Sequence, residues 1–517
     1  MIPTRRTFLQ FFGALAASRV FSGSRSFGKM NPRNLCRKLA SDPLRPQFHL
    51  LPASNWMNDP NGPIFFRGRY HMFHQFNPDG AIWGNMHWAH AVSPDMVNWK
   101  HEPVAIAPTP DGYDRDGIFS GSAVLDKDVP TVIYTGVEPP SSDAQVTLRD
   151  GKHVWREVQC LAVSHDPMLR TWQKLPAPII AAPPPGVSVT GFRDPALWRE
   201  ADTWWLILGS GTREKGGMIL LYRSTDLRNW TYVHPMIEAG ASGKNTTNPV
   251  DDGNMWECPD FFPLGDKHVL LISTRGKVRW KIGSYKDLKF TLEKEGVIDY
   301  GAYYAAKSML DRDGNRILWG WIPETRPEAE HAAAGWAGVM SLPRQLSLTT
   351  DGELAMQISP AVQQLRRARV ALASNITAQA RQNAISNIRI ANLSAELSAE
   401  FRPGPAKPAI LRLITESNET FAEISMEDRQ SKREVNVNGV VAPVSGPSGS
   451  PFRLHAFLDG SVLEVFINGT ATITARVYRA PSRPLRLHLE GEPVVTNFDI
   501  WQIEPISSNR LTSPLCG

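Results

Sequence analysis

The chain has 517 residues, too many for a single hydrophobic core, so two domains are expected. Glycine and proline number 39 and 41, as a turn-rich β protein requires, and the 16 tryptophans suit stacking on sugar rings as well as packing. The net charge of +5 comes from the N-terminus: residues 1–39 carry eight Lys/Arg and no Asp/Glu, and the remaining 48 basic and 51 acidic groups sum to −3, which leaves no electrostatic basis for a nucleic-acid partner or an anionic membrane.

The basic N-terminus has a pattern of its own. Thr4-Arg5-Arg6-Thr7-Phe8-Leu9-Gln10 carries a twin arginine, and the apolar run Phe8 to Ser18 is too short to cross a bilayer. Residues 1–39 are therefore read as an export signal and leader, which places the mature protein in the periplasm or outside the cell. No later stretch serves as a membrane helix. The four cysteines, Cys36, Cys160, Cys258 and Cys516, have no metal-ligand spacing, and the sequence selects no particular bridge among them.

From residue 45 to 350 the chain repeats. Ser93-Pro94-Asp95 leads to Trp99, Ser164-His165-Asp166 to Trp172, Ser224-Thr225-Asp226 to Trp230, and Ser284-Tyr285-Lys286-Asp287 to Phe290, with the aromatics 73, 58 and 60 residues apart. Short β-rich runs lie between them, and helical periodicity is nearly absent. A second series runs in phase. Asp59-Pro60 precedes Ile64-Phe65-Phe66, and Ser120-Gly121-Ser122 precedes Ala123-Val124-Leu125. Arg193-Asp194-Pro195 precedes Ala196-Leu197-Trp198, Glu257-Cys258-Pro259 precedes Asp260-Phe261-Phe262, and Tyr304-Ala305-Ala306 opens the last unit. Five units of this length predict an all-β fold that begins with a five-bladed β-propeller, in which the first strand of each blade lines the channel. Asp59, Asp194 and Glu257 would then converge at one channel end from blades one, three and four, although they are 135 and 63 residues apart.

Residues 351–370 read as a linker, with a helical turn or two between Ala361 and Arg369. Residues 371–517 read as short strands and turns forming a C-terminal β-sandwich, with hairpins at Asp459-Gly460 and Asn468-Gly469.

Asp59 is the pivotal residue of the first motif, Trp56 to Gly62. Pro60 forbids helix through it and Asn61-Gly62 reads as a turn, which puts a carboxylate on rigid backbone at the head of a strand. By itself this also fits a turn aspartate that accepts local N–H groups, as Arg193-Asp194 fits a simple ion pair. Three carboxylates around one pocket favour glycosidic bond cleavage, in which one attacks the anomeric carbon, one protonates the leaving oxygen and one holds sugar hydroxyls. That chemistry calls for no metal and no cofactor. The H-x-x-H spacings at His71/His74 and His87/His90 suggest a metal only superficially, because residues i and i+3 of a strand face opposite ways.

These motifs resemble those of glycoside hydrolase family 32, the invertase, levanase and inulinase family. The resemblance implies a propeller followed by a sandwich over roughly residues 45–505. It implies Asp59 as nucleophile, Asp194 in Arg193-Asp194-Pro195 as transition-state stabiliser, and Glu257 in Glu257-Cys258-Pro259 as acid/base. It also implies fructose-binding positions at Asn58, Gln75, Trp83, Phe119, Ser120 and Arg193, and, by a weaker match, at Trp336. The expected activity is retaining hydrolysis of β-fructofuranosides such as sucrose, fructo-oligosaccharides, levan or inulin, through a covalent fructosyl-enzyme. A fructosyltransferase on the same site, or a five-bladed glycosidase acting on arabinan or xylan, is the enzymatic alternative. A sugar-binding protein without catalysis would lack one of the carboxylates, and all are present. Pocket-rim loops at 138–156 and 239–254 are expected to set substrate choice, and oligomeric state is left open.

Overall fold

A computed structural model describes residues 32–139, 147–149, 152–240, 243, 248–372, 378–404, 407–429, 432–479 and 484–512. The twin-arginine segment, Cys516 and parts of both rim loops lie outside the described residues. No described helix is long and apolar enough to cross a membrane.

Five antiparallel sheets follow one another from residue 55 to 358, and each starts with its innermost strand: Asn55–Phe66, Gly117–Asp126, Phe192–Glu200, Glu257–Leu264 and Tyr304–Leu310. Each innermost strand touches the next, and the fifth returns to the first, which closes the ring. Chain beyond the fifth innermost strand completes the closure, where Trp336–Ala337 pair in parallel with Asn55 and Trp56. The Ser-Xaa-Asp repeat is the turn between the third and fourth strands of a blade. In blade three, Ser224 and the backbone N–H groups of Arg228 and Asn229 all donate to Asp226, while the Trp230 indole caps the Leu227 carbonyl at 2.9 Å.

The second series marks a β-bulge. Pairing with the neighbouring strand slips at the same place in all five blades: between Met57 and Pro60, Ile118 and Gly121, Arg193 and Ala196, Glu257 and Asp260, and Tyr304 and Lys307. Asp194, Cys258 and Ala305 take positive φ there, at 65°, 47° and 53°. A bulge leaves one residue out of the ladder and re-aims its side chain, and Pro195 and Pro259 occupy places where no ladder N–H is needed.

The structure corrects several local readings. Asn61-Gly62 is not a turn, and Asp59 is not at a strand head. Both lie inside the continuous strand Asn55–Phe66, with a second register slip between Asn61 and Ile64. Gly62 sits at φ 43°, where a Cβ would come within 2.9 Å of Ala123 in blade two, so the glycine serves a close strand crossing. The expected linker is divided. Leu354–Ile358 pairs with Arg344–Leu348 as the last strand of blade five, Pro360–Leu365 is a 3₁₀ turn, and Arg366–Ala371 is the edge strand of a sandwich sheet. The last residues of the expected leader also fold: Pro32–Ser41 is a helix whose Leu39 is fully buried against Ile322, Trp336, Val339 and Val462. Cys36 in that helix is disulfide-bonded, and Cys160 and Cys258 are free thiols.

Two six-stranded sheets form the C-terminal sandwich around one apolar core that includes Leu397, Leu411, Ile424, Leu463, Ile473 and Leu487. Both predicted hairpins are present, joining Phe452–Asp459, Val462–Ile467 and Ala471–Arg476. A helix at Ala378–Ser386 has no counterpart in the sequence reading. Buried charges join sandwich to propeller. Asp459 accepts the N–H groups of Gln47, Phe48 and His49 as well as the His49 ring, and Glu464 joins His49 to Arg344, which also reaches Asp299 at 3.0 Å.

Candidate active site

The bulges gather Asp59, Asp194 and Glu257 at one end of the channel. The Cys258 thiol touches the Oδ2 atoms of both Asp59 and Asp194, at 3.4 and 3.5 Å. Its backbone N–H donates to Asp194 Oδ2 at 2.8 Å. Glu257, next to Cys258, accepts at Oε1 from Arg193 Nη2 and Nε (2.7 and 3.1 Å) and at Oε2 from the Tyr304 hydroxyl (2.8 Å). Blades one, three, four and five thus meet through side chains placed within a residue or two of equivalent bulges.

Asp59 is held by neutral donors. Ser120 Oγ donates to Oδ2 at 2.6 Å, and Asn58 Nδ2 donates to Oδ1 at 3.0 Å while its own oxygen accepts from the Trp56 indole at 2.7 Å. Burial pushes the Asp59 carboxyl above the ordinary carboxylate range; the Ser120 and Asn58 hydrogen bonds oppose that rise, and the Glu257 charge adds to it. Asp194 is raised to about 7, first by burial, against the pull of Arg193 and with the charges of Glu257 and Asp59. The Glu257 side chain is 20% exposed, so it opens toward solvent while Arg193 is buried.

Most of the predicted binding residues surround this cluster. Gln75 is buried and donates to the Ile118 carbonyl at the blade-two bulge, next to Phe119 and Ser120. Trp83 is 42% exposed, and its ring meets Phe119 edge-on at a centroid distance of 6.0 Å. Arg193 differs from its expected role, because its guanidinium is committed to carboxylates: Nε and Nη2 to Glu257, and Nη1 to Glu157 at 2.9 Å.

Trp336 does not belong to the site. It is fully buried, donates its indole N–H to Asp42 at 2.9 Å, and lies under the guanidinium groups of Arg45, Arg326 and Arg476. Its ring anchors the N-terminal helix and the junction with the sandwich, so no face is left for a sugar. The H-x-x-H histidines do not act as pairs: His71 bonds and stacks on His90 of the next strand, while His74 and His87 bond the nearby backbone carbonyls of Gln75 and Asn85. Among the described residues no cluster of three or more His, Cys, Asp or Glu has metal-site geometry.

Sequence reasoning passes over Tyr304, Cys258 and Glu157. Tyr304 is visible as the opening of the fifth repeat unit, and comparing bulge positions across the units would single it out. Cys258 is visible only as part of the acid motif. Glu157 gives no signal, since it lies on the third strand of blade two, Lys152–Val163, away from any motif.

Comparison with known proteins identifies the family. Residues 49–358 match the glycosyl hydrolases family 32 N-terminal domain, and residues 361–502 match the family 32 C-terminal domain. The chain is 36% identical to raffinose invertase of Escherichia coli over 489 residues, covering 89% of this chain and 95% of that protein. It is 34% identical to sucrose-6-phosphate hydrolase of Escherichia coli, covering 95% of this chain and 100% of that protein. Fructan 1-exohydrolase IIa of Cichorium intybus superposes with a TM-score of 0.76 at 28% identity, over 90% of this chain and 98% of that one. A variant of the same enzyme, solved in complex with 1-kestose, also has a TM-score of 0.76, at 27% identity over 90% and 98% of the two chains. Family models over both parts of the chain, and relatives similar over nearly its whole length, show that this chain belongs to glycoside hydrolase family 32.

Proposed function

We propose that the chain releases fructose from β-D-fructofuranosides by double displacement, with Asp59 as nucleophile, Glu257 as acid/base and Asp194 holding fructosyl hydroxyls. The observation that carries this reading is the unequal dressing of the two Glu257 oxygens. Arg193 has only donors, so Oε1 stays an acceptor as long as the guanidinium faces it. The Tyr304 hydroxyl both donates and accepts, so it can turn to receive a proton placed on Oε2. Oε2 is therefore the oxygen from which the leaving group takes its proton.

Asp59 needs no base, because an ionised carboxylate attacks directly; Ser120 and Asn58 hold its oxygens in one orientation. After the fructosyl-enzyme forms and the aglycone departs, the same Glu257 oxygen removes a proton from water, and configuration is retained. Asp194 has Oδ2 tied to the Cys258 N–H, which leaves Oδ1 for sugar hydroxyls. Trp83 at the mouth supplies an apolar face for the ring. The names of the relatives, a raffinose invertase and a sucrose-6-phosphate hydrolase, and the kestose complex support sucrose and short fructo-oligosaccharides as the substrate class. The twin-arginine segment at Thr4 to Gln10 supports export before the enzyme acts.

The test is to incubate the enzyme with sucrose, kestose, inulin and levan and to chromatograph the products. Free fructose without larger fragments is expected. Longer fructosides at high sucrose would make it a transferase, and failure to cleave any of the four would overturn the assignment.

A further inference from the structure

Arg193 has carboxylates on both sides, and only one of them is at the channel mouth. Glu157 is the other. Its side chain is 1% exposed, and both its oxygens are engaged: Oε2 accepts the Phe192 N–H at 2.7 Å, and Oε1 accepts Arg193 Nη1 at 2.9 Å. Two further side chains of blade two brace the same segment. Gln159 donates to the Phe192 carbonyl at 2.9 Å, and Thr135 Oγ1 accepts the Asp194 N–H at 2.9 Å. Thr135 and Gln159 are neutral, and hydrogen bonds of that kind suffice to hold a backbone. Glu157 adds a buried negative charge, which is costly unless it acts on something charged.

We propose that Glu157 is a positioning residue that works through Arg193 on Glu257; this rests on the assignment of Glu257 as acid/base. It has two effects. It fixes the guanidinium plane by holding Nη1, so that Nε and Nη2 present one edge to Glu257 Oε1 and leave Oε2 for the proton. It also offsets the Arg193 charge. An arginine paired with Glu257 alone would favour the ionised carboxylate, which is the wrong form for protonating a leaving group. Sharing that arginine between two carboxylates weakens its pull on the catalytic one.

The experiment compares Glu157→Gln with wild type on sucrose and on an aryl β-fructofuranoside whose leaving group needs no proton. The Gln variant keeps the size of the side chain but loses the charge, and it faces two donors with one acceptor oxygen. On sucrose kcat should fall about 10–100-fold with KM nearly unchanged, and the alkaline limb of its pH profile should move to lower pH. On the aryl substrate most of the loss should disappear. Equal losses on both substrates with an unmoved limb would mean a structural brace only, and the proposal would fall. Glu157→Asp keeps the charge and also covers the case in which the Gln variant does not fold. Its limb should stay near wild type while kcat on sucrose drops, and a displaced limb there would overturn the electrostatic part. Glu257→Gln separates this inference from the assignment beneath it. If that variant still cleaves sucrose at the wild-type rate, the acid/base assignment has failed. If it is inactive on sucrose while Glu157→Gln behaves as wild type, only the role of Glu157 has.

Discussion

The molecule buries two clusters of acids and bases, and they have opposite characters. At the junction of propeller and sandwich, His49, Asp459, Glu464, Arg344 and Asp299 are all fully buried and linked in a chain of ion pairs. Burial alone would pull the His49 pKa down, but its bonds to Asp459 and Glu464 overcome this and hold it near 9. Burial would raise Glu464, but Arg344 and His49 bring it down to about 2. At the junction three acids share two bases, whereas around the channel mouth Asp59, Asp194, Glu257 and Glu157 have, among the described residues, only Arg193 to share; Asp59 has only neutral donors, and both Asp59 and Asp194 are displaced upward. Residue types are alike, and the ratio of acids to bases makes the difference. Acids whose charges are mostly met by bases lock two domains together, whereas a site with a large excess of acids stores electrostatic strain that can be used on a substrate.

The sharpest way to break this comparison is Asp59→Asn. It should lower kcat by on the order of 10⁴-fold or more, without loss of thermal stability, because it removes a charge the fold does not need. A folded Asp59→Asn enzyme with wild-type turnover would end the nucleophile assignment. Arg344→Met at the junction should do the reverse. It strands Glu464 and Asp299 in the interior and should cost about 3–5 kcal/mol in urea unfolding, with turnover per folded molecule near wild type.

The pH dependence of stability should separate the two clusters next. The His49 contribution is complete below 6.5 and lost as pH rises through about 9, whereas that of Glu464 is complete above 4.5 and lost as pH falls through about 2. The junction therefore contributes most between 4.5 and 6.5. Asp194, raised from 3.8 to about 7, adds a cost that grows across that interval as pH rises. Asp194→Asn should raise the melting temperature at pH 8 and leave it unchanged at pH 3.5; equal effects at both would refute the strain. The smallest effects concern two tryptophans. Trp83→Ala should raise KM while changing stability by less than about 0.5 kcal/mol. Trp336→Phe should leave KM alone and cost about 1–3 kcal/mol through the Asp42 hydrogen bond and lost packing. Reversed outcomes would return Trp336 to the binding site.

Much of the site is legible in the sequence because the fold repeats. Five equivalent bulges recur at the same phase of the repeat, and Asp59, Asp194 and Glu257 lie within a residue or two of them, so phase alone brings the three acids together. Legibility fails where the repeat stops. Trp336 lies in the chain that closes the ring, between two domains, and nothing local shows whether an aromatic there faces a sugar or three arginines. The linker expected between 351 and 370 fails for a related reason: Leu354–Ile358 is too short to identify itself as a strand without its partner, Arg344–Leu348.

By itself the sequence determined the all-β class, the five blade units, the hairpins of the sandwich and the three acids, because each rests on local pattern and spacing. Only the tertiary structure decided what each acid faces. The pairing of Arg193 with Glu157 as well as Glu257, the Tyr304 hydroxyl on Oε2, and the opposite displacements of Glu464 and Asp194 all depend on charges that different blades or domains bring within a few ångströms. Coulombic and desolvation effects act through space, and position along the chain does not encode them.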